Sequence, residues 1–419
     1  MTSADLWAIP RVGSPVPSPD GTSVVVPVTV YDMEKNAGRT RLWLVPVRGG
    51  EARPLTAPDV SSQEPAFSPD GRRLAFVRKI EGAKGQLYVM PIDGGEPEKL
   101  TDLPLGIFNP TWLPDGSGVV FAAMLFKGHL SPEATKAEVE RREKDPVKAH
   151  VTEERVYRYW DNWLTTGEVP HLFTYDLATK QLRDLMPESQ AWFEWMEPSG
   201  QYDVSPDGKE IAYAGIGVHG DKEELRASVW VIPVAGGKAR NLTPDHPADA
   251  FRPRYTPDGG AIVYGMQQDP HFYADRVRLM RYDRATQKHV GLLENWRLSP
   301  SGWEVASDGT LYFEAEDNAR VGIFALDPGA AEPREVLRGG TVSGLAVASD
   351  GQLTFGLQSL SGPPEVYACP GRGGAPTRLT RFTEPTTSTF ATGEVREYQF
   401  EGAYGENVQM FVVLPPNYQ

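Results

Sequence analysis

Cysteine is all but missing from this 419-residue chain, and its one thiol, Cys369, excludes an intrachain disulfide. It sits in the apolar run Val366-Tyr367-Ala368-Cys369-Pro370, which suits a buried structural thiol better than a reactive one. Histidine is scarce too. The seven, at 129, 150, 171, 219, 246, 271 and 289, include no pair at ligand spacing. No His-Glu-x-x-His, paired Cys-x-x-Cys or Walker-type loop occurs, so neither a metal nor a cofactor is expected. Basic charge is in deficit: 42 Lys and Arg against 56 Asp and Glu leave a net charge of −14. That argues against a nucleic-acid partner or an anionic membrane surface. No apolar run reaches bilayer-spanning length. Met1-Thr2-Ser3-Ala4-Asp5-Leu6-Trp7 lacks the basic and apolar regions of a secretory leader, so the cytoplasm is the expected location. The sequon Asn241-Leu242-Thr243 would be idle there.

The nucleophile elbow Gly-x-Ser-x-Gly is also missing; Gly340-Thr341-Val342-Ser343-Gly344 has the wrong spacing. Gly215-Ile216-Gly217-Val218-His219-Gly220 matches a dinucleotide fingerprint. It runs into Asp221-Lys222-Glu223-Glu224, however, which would set acids against a pyrophosphate, so it reads as a loop of a repeat.

What the chain has in quantity is glycine and proline, 42 and 37, placed at regular intervals. Ser68-Pro69-Asp70-Gly71 is the type: proline presets the first corner of a tight turn and glycine accepts the positive φ of the next. Its aspartate recurs at Asp20, Asp70, Asp115, Asp207, Asp258, Asp308 and Asp350, with gaps of 50, 45, 92, 51, 50 and 42. A strand pattern follows each turn, as in Leu74-Ala75-Phe76, Ile211-Ala212-Tyr213 and Leu353-Thr354-Phe355. A second follows in Leu42-Trp43-Leu44-Val45-Pro46 and Val229-Trp230-Val231-Ile232-Pro233. About four strands in a period of about 40–50 residues mark a propeller blade, and one blade cannot cover both its faces alone. The expected fold is all-β: a seven-bladed β-propeller of four-stranded blades over 1–392.

The long gap places a partly helical insertion, about 126–170, in blade three. Ser131-Pro132-Glu133 caps and starts a helix through Lys144, which Asp145-Pro146 stops. With Lys136/Glu140 and Glu138/Arg142 four apart and almost no apolar face, it reads as a solvated helix. Then Glu153-Glu154-Arg155-Val156-Tyr157-Arg158-Tyr159-Trp160-Asp161-Asn162-Trp163 sets aromatics among charges. Such a stretch serves recognition on a rigid scaffold, or fastens the insertion to the blade edge. Glu153-Glu154 could pair with a substrate amine or be simply solvated. Past Thr380 the character changes: Val395–Phe400 and Val408–Leu414 read as a hairpin without the aspartate turn, the start of another domain over 393–419.

With repeat, insertion and tail together, the chain resembles the N-terminal part of the prolyl oligopeptidase family of serine peptidases, most closely its acylaminoacyl-peptidase-like branch. Tyr157-Arg158-Tyr159-Trp160-Asp161-Asn162-Trp163 is similar to an Arg-(aromatic or His)-Trp-Asp stretch in that branch's insertion. Residues 393–416 are similar to the strands that open its α/β-hydrolase domain. The resemblance implies a propeller gating a Ser-Asp-His triad that lies beyond Gln419, peptide substrates, and a homo-oligomer in the full-length enzyme. It transfers no catalytic residue, so 1–419 alone is expected to be inactive. Arg155, Arg158, Trp160 and Asp161 are the candidate substrate- or interface-facing residues. The rival reading is a free-standing propeller that binds a protein partner; a propeller with chemistry of its own lacks any supporting acid-base or metal cluster.

Overall fold

Every one of the seven aspartate turns forms in the same way. The turn glycine donates its N–H to the carbonyl three residues back at 2.8–2.9 Å, from Gly21 to Gly351, and each takes a positive φ between 65 and 85°. The aspartate Oδ1 accepts the N–H two residues on, from Thr22, Arg72, Ser117, Lys209, Gly260, Thr310 and Gln352, at 2.9–3.1 Å. Ser18, Ser68, Ser205 and Thr256 add a hydroxyl donor to the same oxygen. These bonds are stronger to the ionised carboxylate, and they hold Asp20, Asp70, Asp115, Asp207, Asp258 and Asp308 below the usual range. A depressed folded pKa gives stability that is present above the ordinary value near 4 and lost as pH falls through the folded one. Tm should therefore fall below about pH 4. Asp70→Asn, which keeps an acceptor but has no proton to take up, should flatten part of that slope.

The computed structural model describes residues 1–149, 151–153, 157–189, 192–193, 199–219, 224–270, 272 and 274–418, with the backbone alone for 162, 218, 219 and 224. Among them the turns punctuate four-stranded antiparallel repeats at 11–54, 61–99, 107–184, 202–241, 250–291, 300–337 and 341–378. The first carries an extra short strand, Val16–Pro17, and the last two join through a parallel pairing of Val321 with Thr341. The fold is all-β, as expected. The dinucleotide look-alike is strand rather than loop: Gly215 to His219 lie within Glu210–His219 and pair with 224–228.

The chain divides into two compact units. One, Val60–Asn295, holds the second to fifth repeats. Its cores lie between successive sheets: Leu87, Trp112, Phe121 and Phe173 between the second and third, Val120, Phe193, Tyr213 and Ile232 between the third and fourth, and Val229, Tyr255 and Tyr264 between the fourth and fifth. Burying each such side chain contributes about 1.5–3 kcal/mol. The innermost strands are also laced. A register shift at Phe108/Thr111 frees the Asn109 N–H, which donates to Glu64 Oε2 at 2.5 Å. A shift at Phe251/Arg254 frees the Arg252 N–H for Gln201 Oε1 at 3.1 Å.

The other unit, Met1–Asp59 with Trp296–Gln419, holds the first, sixth and seventh repeats. Leu345, freed by its own bulge, donates to Glu314 in the same manner at 2.9 Å. A capped helix, Ser3–Ala8, occupies the lead-in, with Trp7 edge-on to Tyr31. Cys369 is buried, which pushes its thiol up to about 11. The strands Val395–Glu401 and Asn407–Val413 form the expected hairpin. Its register sets Tyr398 opposite Met410 and Phe400 opposite Val408, and all four are exposed. Among the described residues no helix is long and apolar enough to cross a membrane.

A Leu-Thr step closes four of the repeats. Leu55, Leu100, Leu242 and Leu379 donate to the carbonyls of Leu42, Leu87, Val229 and Val366. The next residue, Thr56, Thr101, Thr243 or Thr380, then accepts the N–H of that same partner through its hydroxyl at 2.8–3.1 Å. The buried hydroxyl takes the place of the next ladder carbonyl. Thr101→Val keeps the shape and strands the Leu87 N–H, so urea unfolding should show a loss of about 1–3 kcal/mol.

Candidate functional site

The third repeat opens where its second strand, Gly118–Phe126, ends and its third, Glu168–Asp176, begins, and Phe126 pairs directly with Glu168. The helix Pro132–Lys144 forms because Ser131 Oγ accepts the Ala134 N–H and proline fills the first turn. It is anchored by polar groups. Thr135 donates its hydroxyl to the His129 carbonyl and accepts the Phe126 N–H, at 2.8 and 3.1 Å. Glu138 is buried, taking Arg141 Nε at 2.7 Å and Arg142 Nε at 2.6 Å. Bonds from Arg141 and then Arg142 hold its carboxyl down at about 2. Arg142 lies 3.9 Å over the Phe126 ring and donates to the Thr166 carbonyl at 2.6 Å. The solvated helix of the sequence reading is therefore one whose Glu138–Arg142 pair ties it to the far end of the insertion.

At that end Arg158–Tyr159 pairs with Asn162–Trp163 in a two-stranded hairpin, and a turn of 3-10 helix, Leu164–Thr166, follows. Trp160 and Asp161 form the tip. Trp160 takes φ +49°, a conformation that disfavours a bulky side chain, and its carbonyl accepts Arg158 Nε at 2.5 Å. The Arg158 guanidinium lies 5.7 Å from the Trp163 ring centre, Tyr157 is 6.2 Å from Trp163, and Tyr159 meets Trp160 edge-on at 6.3 Å. Trp160 is 73% exposed and Tyr157 47%, while the buried Leu164 anchors the base. Arg158, Trp160 and Asp161 thus share one exposed tip. Arg155 and Glu154 lie outside the described residues, and Glu153 is exposed. The sequence reading did not single out Phe126, Glu138, Arg142 and Thr166 as the support; Glu138/Arg142 at i,i+4 was the available signal.

The tip presents aromatic faces, a cation and an anion without a nucleophile. Two acid–histidine pairs lie nearby in sequence among the described residues: His129 Nε2 is 3.9 Å from Glu138 Oε2, an acid already taken by Arg141 and Arg142, and His171 Nδ1 is 2.8 Å from Asp184 Oδ2. The Nε2 of His171 is spent on the Ser189 carbonyl at 3.1 Å, where a serine hydroxyl would stand in a triad. No group of three or more metal-ligating side chains occurs among the described residues.

No family model matches the chain. Its whole length is 26% identical to 61% of a dipeptidyl-peptidase 5 of Porphyromonas gingivalis, and 23% identical to 62% of one from Aspergillus fumigatus. The chain spans about three fifths of the curated relatives it matches. Among solved structures, an acylaminoacyl peptidase of Pyrococcus horikoshii superposes with a TM-score of 0.74 at 15% identity, over 99% of this chain and 59% of that one. The β-propeller domain of the Trilobed protease from Pyrococcus furiosus superposes at 0.62 and 14% identity, over 90% of this chain and 97% of that domain. By fold this chain is a β-propeller similar to those of that acylaminoacyl peptidase and of the Trilobed protease, and over its whole length its sequence is similar to part of dipeptidyl-peptidase 5.

Proposed function

We propose that residues 1–419 are the non-catalytic, gating portion of a cytoplasmic serine peptidase acting on peptides, of acylaminoacyl- or oligopeptidase type, whose Ser-Asp-His triad belongs to an α/β-hydrolase domain outside them. One observation carries this reading: the entire chain matches only about three fifths of its curated relatives. The tail supports it. Tyr398, Phe400, Val408 and Met410 form an uncovered apolar face on a hairpin, as strands do that belong to a larger sheet. In this reading 1–392 is the propeller and 393–419 enters the hydrolase domain. The propeller covers the active site, excluding folded proteins and bulk water while admitting peptides, and the full enzyme assembles as a homo-oligomer. One buried thiol suits a reducing compartment.

Arg155, Arg158, Trp160 and Asp161 are assigned to contact with the substrate or with the hydrolase domain. The exposure of Trp160 supports this, because a ring that is mostly in water adds little to the packing of its own fold. In the peptidase encoded by the whole reading frame, Trp160→Ala and Arg158→Ala should each lower kcat/KM about tenfold or more, leaving Tm within about 1 °C. A fall in Tm with normal kinetics would return both residues to packing. Turnover of peptide by 1–419 alone would refute the gating assignment.

A further inference from the structure

A second group of side chains, in the unit Val60–Asn295, plays no part in that reading. His246 lies in the connection between the fourth and fifth repeats; Tyr264, Tyr282 and His289 come from three strands of the fifth. Tyr264 is fully buried and stands between the two imidazoles, its hydroxyl 2.6 Å from His246 Nε2 and 2.7 Å from His289 Nδ1. The two rings are 5.0 Å apart, and Tyr282 flanks His289 at 4.9 Å.

A tyrosine hydroxyl has one proton to give, so the two contacts cannot be alike. Tyr264 donates to one imidazole, and its oxygen accepts the N–H of the other. The relay therefore runs one way, with both rings in the Nε2–H form or both in the Nδ1–H form, and it joins residue 246 of the connection to residues 264 and 289 of the fifth repeat.

We infer that this relay is a pH-sensitive clasp, fastening the connection 242–249 to the fifth repeat while both imidazoles are neutral. A proton on the ring that accepts from Tyr264 makes that ring a donor too, so Tyr264 faces two N–H groups and its own proton loses its acceptor in a buried site. A proton on the donating ring falls on the nitrogen away from Tyr264 and places a charge beside the other ring. The charged neighbours are of both signs. Asp245 favours a proton on His246. Arg226, which donates to the His246 carbonyl, opposes it. Asp249 accepts the Ala227 N–H at 2.7 Å, and Arg240 donates to the Tyr282 hydroxyl at 3.2 Å. Lys288 adjoins His289 on the outermost strand. Burial, then His289, outweighs Asp245 and brings His246 down to about 4, and burial lowers His289 as well.

Imidazoles held neutral in the closed form charge on opening, so opening takes up protons between the ordinary value near 6.5 and the lowered ones. The clasp is whole above that window and weakens as pH falls through it. This window lies above that of the aspartate turns, which separates the two effects.

The test uses the whole chain. At pH 7.5, ring 15N shifts should report the same tautomer for His246 and His289. Hydrogen exchange of amides 242–249, corrected for intrinsic rates, should give an opening constant that rises from pH 6 to pH 5, by about tenfold for each imidazole that charges on opening. Tyr264→Phe should raise the opening constant at pH 7.5 at least tenfold, and His289→Gln should lower the pH slope. Unlike tautomers on the two rings, or an opening constant flat between pH 6 and 5, would overturn the proposal. Should Tyr264→Phe fail to fold, the shifts and the pH series of the unaltered chain decide.

Discussion

Purified 1–419 should release no product from dipeptidyl or N-acylaminoacyl peptide substrates, whereas the polypeptide of the whole reading frame should cleave one of these classes. The expected difference is at least about 10⁶-fold, the lower bound of ordinary enzymatic acceleration. Amide hydrolysis needs a nucleophile whose proton a base removes and a pair of donors aimed at the developing oxyanion. His129 Nε2 stands 3.9 Å from Glu138 Oε2, an acid and not a nucleophile, and the other histidines with described side chains are engaged. His171 has both ring nitrogens engaged, by Asp184 and the Ser189 carbonyl. His246 and His289 are occupied with Tyr264. A rate in 1–419 that survives repeated purification, and abolition of it by a substitution within these residues, would move the chemistry into the propeller.

Glu365→Ala should lower the unfolding free energy by roughly 2–4 kcal/mol, the largest loss expected from one polar residue here. Glu365 is 2% exposed in the strand Gly362–Pro370. One carboxylate oxygen accepts the Thr383 N–H at 2.8 Å, the Thr383 hydroxyl at 2.7 Å and Arg378 Nη2 at 3.3 Å; the other accepts the Thr380 hydroxyl at 2.5 Å. Thr380 and Thr383 lie on the segment that leaves the seventh repeat for the tail, and Arg378 ends that repeat's last strand. Alanine would strand a backbone N–H and two buried hydroxyls, while Arg378, partly exposed and paired with Glu384 at 3.6 Å, would lose less. Glu365→Gln keeps the volume and one acceptor, and should lose about half as much. Denaturant unfolding gives the number, and hydrogen exchange over 380–389 should rise with it. A loss under about 1 kcal/mol would mean that the segment is held by other contacts.

Much of this architecture is legible because its cause is local. The aspartate turn needs only four residues, and each strand that follows has its period of two in view. The helix at 132–144 announced itself in the same way, through Ser131-Pro132 and Asp145-Pro146. What escaped are bonds across long separations. The caps of Asn109 by Glu64 and Arg252 by Gln201 join residues 45 and 51 apart, and nothing near either end marks the partner. The Leu-Thr pair stands at six places in the sequence, four of them repeat ends, and carries no turn chemistry to draw the eye. At the candidate site, the arginine and tryptophan of the tip were readable as exposed recognition types. The tie from Arg142 to Thr166 was not, because i,i+4 pairs on a helix usually end in water.

The direct pairing of Phe126 with Glu168 has a consequence for how such a protein can change. Because the two rims of the excursion are already joined, whatever is threaded between them leaves the ladder beneath untouched. The third repeat is thus a socket, and the tip it carries is a plug that can be lengthened, trimmed or exchanged while the scaffold stays as it was.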